Sequence, residues 1–123
     1  MTKPTRYGVA YLTYRTDGAW LLERRADKGL LGGMLGWPGA AWGEGPVEQP
    51  PIAANWIDPG VEVKHTFTHF HLRLNLRIGL VSIDVKPKIG AFLTADQFQR
   101  TDLPTVMRKA YDIAINYDET GKL

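Results

Sequence analysis

The sequence predicts a single α+β domain, strands first and a helix last. Three observations predict it. From Phe70 to Leu80 the even positions (Phe70, Leu72, Leu74, Leu76, Ile78, Leu80) are apolar, while His69, His71, Arg73, Asn75 and Arg77 are polar. That period of two marks a strand with one buried and one wet face. Two strand-like runs, Tyr7 to Arg15 and Trp20 to Arg25, flank Thr16-Asp17-Gly18-Ala19, and Asp-Gly favours the positive φ angles of a tight hairpin turn. After Asp102 and Pro104, which signal a helix start, Val106, Met107, Ala110, Tyr111 and Ala114 fall on one helical face. Arg108, Lys109, Asp112 and Asn116 fall on the other.

The remaining elements follow in chain order. Ala26 to Gly45 holds seven glycines in twenty residues, interleaved with Leu30, Leu31, Met34, Leu35, Trp37 and Trp42. Large apolar side chains do not belong in a flexible linker, so an ordered, packed loop is expected, with a short strand near Gly36-Trp37-Pro38. Three prolines between Gly45 and Pro51 exclude a long helix there; at most a short one fits between about Ile52 and Trp56. Val61 to Phe67 reads as the hairpin partner of the alternating strand, which places Thr68-His69 at the connection. Lys86-Pro87-Lys88 ends the pattern. There is no internal repeat, low-complexity tract or second domain.

Composition bounds the chemistry. The 123 residues are 44% hydrophobic and 23% charged, enough for one ordinary globular core. With no cysteine, disulfides, thiol catalysis and cysteine-held iron–sulfur or zinc sites are excluded. Apolar stretches are too short for a membrane span, and the polar Met1–Arg6 leader is no signal peptide. A cytoplasmic location is therefore expected. The net charge of +2 does not by itself announce a nucleic-acid binder. Residues 61–83, however, hold Lys64, Arg73 and Arg77 against Glu62 alone, together with His65, His69 and His71.

Catalytic groups are sparse. Between Gly36 and Gly60 the only acids are Glu44, Glu48 and Asp58, whereas a magnesium-dependent phosphohydrolase needs clustered carboxylates to supply oxygen ligands. Ser82, the only serine, lies in a strand-like run with no partner for a nucleophile. The three histidines could share a strand face and bind zinc, but no cysteine or nearby carboxylate completes the set unless Glu62 bends in, so a polar or nucleic-acid-facing surface is the preferred reading. Gly29-Leu30-Leu31-Gly32-Gly33 matches neither the P-loop nor the dinucleotide fingerprint. The tryptophans read as core or lid rather than as base-stacking platforms, and the terminal helix as core rather than a partner-binding helix.

Three segments carry a resemblance. Leu21-Leu22-Glu23-Arg24-Arg25, Lys28-Gly29-Leu30-Leu31-Gly32-Gly33-Met34 and Trp37-Pro38-Gly39 resemble the opening of the C-terminal domain of bacterial adenine DNA glycosylases of the MutY type. His65-Thr66-Phe67-Thr68-His69-Phe70-His71-Leu72 resembles their H-x-F-[ST]-H-x-x-L signature, and Leu103-Pro104-Thr105-Val106-Met107-Arg108-Lys109 their closing helix. The resemblance spans nearly the whole chain. It implies a Nudix-like fold, a mixed sheet flanked by helices, related to MutT-type nucleotide hydrolases. Those hydrolases carry a magnesium-holding helix with Arg-Glu and Glu-Glu pairs after the position of Gly36; here the proline-rich 45–51 stretch stands instead.

The resemblance further implies that residues 1–123 are a single recognition domain for 8-oxoguanine opposite adenine in double-stranded DNA, and not an enzyme alone. The glycosylase's catalytic helical domain, its partner in cis, and the iron–sulfur cluster would lie N-terminal to it. No cofactor is expected in this chain. The loop corresponding to Phe67-Thr68-His69 would approach the lesion. The 8-oxo form carries N7–H where guanine has only an acceptor, and the Thr68 hydroxyl can accept from it. Phe67 would wedge or pack, His69 would contact a phosphate or brace the loop, and His65 opens the motif. Lys64 and Arg73 are candidates for backbone positioning. A Nudix hydrolase, or a protein-interaction module acting through Pro46–Pro51, remain as alternatives.

Overall fold

The computed structural model describes residues 2–25 and 31–119, with side chains through Tyr117. Lys28-Gly29-Leu30 of the glycine-rich motif lie outside the described residues. Strand β1 (Thr5–Arg15) turns through Gly18, at φ 94°, into β2 (Trp20–Arg24). Strand β3 (Leu35–Gly36) is followed by a long irregular segment, then by the hairpin of β4 (Glu62–Thr66) and β5 (His71–Val81), and by β6 (Ala91–Leu93). A 3-10 turn (Arg100–Asp102) precedes helix α1 (Thr105–Glu119). The sheet runs β3-β2-β1-β5-β4, with β6 on β2. It is mixed, because β1 and β5 are parallel along their full lengths while the other pairs are antiparallel.

The β1–β2 hairpin is paired only near its turn, at Tyr14 and Trp20. Beyond that point the strands part and the chain from β3 enters the gap. Glu23 pairs with Gly36, the Tyr11 amide donates to the Pro38 carbonyl at 3.0 Å, and Tyr7 bridges to Gly43. The short strand expected near Gly36 is this wedge. Its close approach to β1 needs glycine: a Cβ on Gly39 would stand 2.2 Å from the Val9 carbonyl oxygen.

One face of the sheet packs on α1. Leu72, Leu74, Leu76 and Ile78 of β5, with Ala10 and Leu12 of β1, meet Val106, Met107, Ala110 and Ala114, all buried. Those of β5 and α1 are residues that the strand alternation and the helical spacing mark as inward. Trp20 and Trp37 join that core, and the Trp37 indole donates to the Met107 carbonyl at 2.9 Å. Tyr111 lies against both rings.

The other face is covered by an irregular strap instead of a helix; among the described residues α1 is the single α-helix. Gln49 donates its amide to the Tyr11 hydroxyl at 2.8 Å, Lys88 donates to the Pro51 carbonyl, and Ile52 is buried. The short helix expected between Ile52 and Trp56 does not form. That stretch is irregular, because Ile57 bridges to Ile78 and the Trp56 ring lies on Gly79, where a Cβ would come within 2.9 Å of it. Leu80 also departs from the alternation and is 46% exposed, while Gly79 and Val81 are buried. At this end of β5 the strap covers its own face and leaves the Leu80 face open.

Asp102 does not begin α1. It closes the 3-10 turn, accepting from the Gln99 amide at 2.8 Å, and the helix starts after Pro104, whose carbonyl accepts from Arg108. Among the described residues no helix is long and apolar enough to cross a membrane.

Candidate nucleic-acid interface

The β4–β5 hairpin carries the predicted site residues to one end of the sheet. Its register pairs Lys64 with Arg73, His65 with Leu72 and Thr66 with His71. The tip is closed by the Phe67 amide donating to the Phe70 carbonyl at 2.8 Å. It is tied to the chain start by Lys3 Nζ, which donates to the Phe67 carbonyl at 3.2 Å, and by the His71 amide, which donates to the Pro4 carbonyl at 2.9 Å.

An aromatic cluster supports the tip. Phe67 stacks on Trp42 at 5.9 Å and lies 5.0 Å from Phe70, and His65 meets Phe67 edge-on at 4.7 Å. The Arg25 guanidinium covers Trp42 at 4.5 Å, and that of Arg6 covers Phe70 at 5.4 Å. Of the two roles expected for Phe67 the structure shows packing: the ring is half-buried in this cluster. Thr68 and His69, between the two pinned phenylalanines, are exposed. Such an arrangement presents one hydroxyl and one imidazole to a partner on a base whose own rings are already held, so little side-chain entropy is left to lose on contact.

Strand alternation separates the other candidates. Lys64 and Arg73 share the face away from α1. Arg73 is paired there with Glu62 at 2.5 Å, which raises its pKa further, and lies over the Tyr7 ring. Arg77 of the same basic stretch is likewise engaged, 2.7 Å from Glu48 and 3.4 Å from Asp58. His65 is on the α1 face, its Nδ1 3.0 Å from Lys109 Nζ. Burial first, and the Lys109 charge second, lower its pKa; a neutral ring accepts from the ammonium. His71 points the other way, its Nδ1 2.8 Å from the Thr66 hydroxyl. The three histidines therefore do not share a face, and among the described residues no three His, Asp or Glu side chains form a metal-ligand group.

Reasoning from sequence missed Trp42 and Phe70 as supports of the tip, and Lys3 and Lys109 as its neighbours. The cluster was foreshadowed only by apolar residues standing in a glycine-rich loop. Nothing in a local pattern links residue 109 to residue 65.

A NUDIX domain family model matches residues 9–112. The chain belongs to the NUDIX domain family. Among solved structures, this NUDIX domain is similar to a MutT protein from Methanosarcina mazei Go1, with 20% identity, TM-score 0.66 and coverage of 100% of this chain and 99% of that one. It is also similar to the C-terminal domain of mouse MUTYH, solved in complex with human PCNA, with 19% identity, TM-score 0.63 and coverage of 96% and 91%. A Nudix hydrolase from M. smegmatis, RenU, aligns at 13% identity and TM-score 0.54 over 100% and 91%. At these identities the likeness shows the fold. No curated protein sequence matches the chain.

A MutT protein, a Nudix hydrolase and the C-terminal domain of MUTYH thus share this NUDIX architecture. Among the described residues, the acids after Gly36 do not fit a magnesium centre. Of the three acids between Gly36 and Gly60, Glu48 and Asp58 are bound to the Arg77 guanidinium, and hard cations require several free carboxylate oxygens.

Proposed function

We propose that this NUDIX domain is the lesion-recognition module of an adenine DNA glycosylase, reading 8-oxoguanine opposite adenine and carrying no catalytic centre of its own. The observation that supports it best is the hairpin tip. Thr68 is exposed between Phe67 and Phe70, both fixed against Trp42, and Lys3 and Arg6 lie against Phe67 and Phe70 in turn. A hydroxyl both donates and accepts, so it matches the N7–H that distinguishes the lesion from guanine, and a good contact of this kind discriminates by about 1–3 kcal/mol. His69, exposed next to Thr68, would meet a flanking phosphate, while Arg73, neutralised by Glu62, is a weaker candidate for that task than Lys64.

The alternative reading, nucleotide hydrolysis, lacks support from the acids, which hold the strap to the sheet through Arg77. An interaction role for Pro46–Pro51 also competes with a structural one, since this segment is fixed to the sheet through Gln49 and Pro51.

The test is titration of duplexes bearing 8-oxoguanine or guanine opposite adenine, at fixed low salt. The domain alone is expected to bind weakly, with Kd on the order of 10⁻⁴–10⁻⁶ M, and to prefer the lesion. Thr68→Ala should remove most of that preference. Equal affinity for both duplexes, unchanged by Thr68→Ala, would contradict lesion reading by the domain. Magnesium-dependent release of phosphate from nucleoside diphosphate derivatives would instead support hydrolysis.

A further inference from the structure

Below the hairpin tip, the lining of a groove of about 560 Å³ includes Lys64, His65, Thr66, His71, Arg73 and Lys109. Every formally charged side chain lining it is cationic. Arg73 is neutralised by Glu62, but among the described residues neither Lys64 nor Lys109 has a carboxylate within 4 Å. Lys109 comes from α1, a different element, and its ammonium is fixed by two neutral acceptors, the Lys64 carbonyl at 3.3 Å and His65 Nδ1 at 3.0 Å. It is therefore held in place with no carboxylate beside it among the described residues.

We propose that this groove is a phosphate track that takes the backbone of double-stranded DNA beside the hairpin tip, with Lys109 and Lys64 as its two charged contacts and the hydrogen-bonded Thr66–His71 pair offering one further outward donor. It rests on the lesion-reading proposal for its direction, because a base at Thr68 brings its flanking phosphates past Thr66 and His71, the pair adjoining the tip. Lys109 binds the partner directly in this assignment; its role does not pass through His65.

Two observations favour a phosphodiester over an acidic peptide added as a strand. β4 is the outer strand of the sheet. Counting back in twos from the hydrogen-bonded Phe67–Phe70 pair, the Lys64 carbonyl lies on its outer edge, and Lys109 already occupies that acceptor. An added strand would lose this bond, and a lysine on the edge is a familiar obstacle to pairing. Discrete ammonium and hydroxyl groups at the wall of an open groove suit phosphate oxygens without any such rearrangement.

The experiment is fluorescence anisotropy of the whole chain with a short undamaged duplex, repeated across a salt series, for wild type, Lys109→Ala, Lys64→Ala, Lys109→Arg and the double alanine variant. Melting curves confirm that each variant is folded. Each single alanine should weaken binding and lower the magnitude of the log K against log salt slope by about 1, the double variant by about 2, and Lys109→Arg should keep the wild-type slope. Unchanged slopes in folded alanine variants would overturn the assignment. So would wild-type protein with no salt-dependent duplex binding, or Lys109-dependent binding of a poly-glutamate peptide or free dGMP in place of the duplex. Lesion reading is judged separately by the 8-oxoguanine to guanine affinity ratio. A ratio of one with reduced slopes removes lesion reading and leaves the track; a ratio above one with unchanged slopes does the reverse.

Discussion

Gly8 lies in β1 opposite Leu74 and lets Trp42 rest directly on the strand. An ideal Cβ there would stand 2.4 Å from Trp42 Cδ1, 2.9 Å from Trp42 Nε1 and 3.1 Å from Leu74 Cδ1. Carbon atoms prefer roughly 3.5–4.0 Å, so in Gly8→Ala the indole must retreat by about 1 Å. It cannot do so freely, because Phe67, Phe70 and Arg25 lie against it. Overpacking of this kind costs about 1–3 kcal/mol, and the stiffer unfolded chain returns about 0.4–1 kcal/mol. The net loss of about 1–2 kcal/mol corresponds to a Tm lower by roughly 3–10 °C for a domain of this size. Gly43→Ala is the matched control: its added methyl group meets nothing within 4 Å, so its effect should stay within about 0.5 kcal/mol. Melting by circular dichroism and tryptophan emission reads both variants. Because Trp42 supports Phe67, Gly8→Ala should also reduce the preference for 8-oxoguanine. Gly8→Ala melting within about 1 °C of Gly43→Ala would refute the reasoning, since the overlap predicts a larger gap.

Other perturbations test the remaining contacts. Trp37→Phe leaves the Met107 carbonyl without its buried donor and should cost about 1–3 kcal/mol in urea unfolding. Arg77→Gln should lower stability by only about 1 kcal/mol, since Glu48 and Asp58 are 64% and 63% exposed. It should nevertheless speed proteolysis within residues 44–58, which a strap held by backbone contacts alone would not show. The Arg100 guanidinium holds the Asp112 carboxyl below the usual range. Its contribution is therefore present above about pH 3.9 and is lost as pH falls through the depressed value. Asp112→Asn should flatten that acid limb of a Tm profile by a small amount, because both partners are half exposed. His65 titrates below the ordinary histidine value, so the unfolded chain takes up its proton first. The stability it contributes is full above about pH 6.5 and declines as pH falls below that. Lys109→Met should raise the His65 pKa in an NMR titration.

Much of this architecture was legible as local pattern. The Asp17-Gly18 turn, the alternation through β5 and the helical spacing after Pro104 each follow from backbone geometry that repeats within a few residues. The hairpin tip at Thr68-His69 follows from the two runs that flank it. The pattern failed where covering layers decide: Leu80 is exposed because no element among the described residues covers its face at that end of β5. The 52–56 stretch is not helical because Trp56 lies on Gly79 and Ile57 bridges to Ile78. The mixed sheet was implied by family resemblance alone, since the register of a parallel pair leaves no local signature.

By itself, then, the chain determined its element types, the absence of thiol chemistry and the shortage of acids after Gly36, because these depend on residue identity and short-range periodicity. Tertiary structure alone decided which charges are available. Arg73 and Arg77 count as basic residues in the sequence, but Glu62, Glu48 and Asp58 bind them in the fold. Lys109, unremarkable on its helix, reaches the outer strand beside Lys64. Charge availability depends on which side chains meet across 11 to 45 positions of sequence, a distance over which only packing acts.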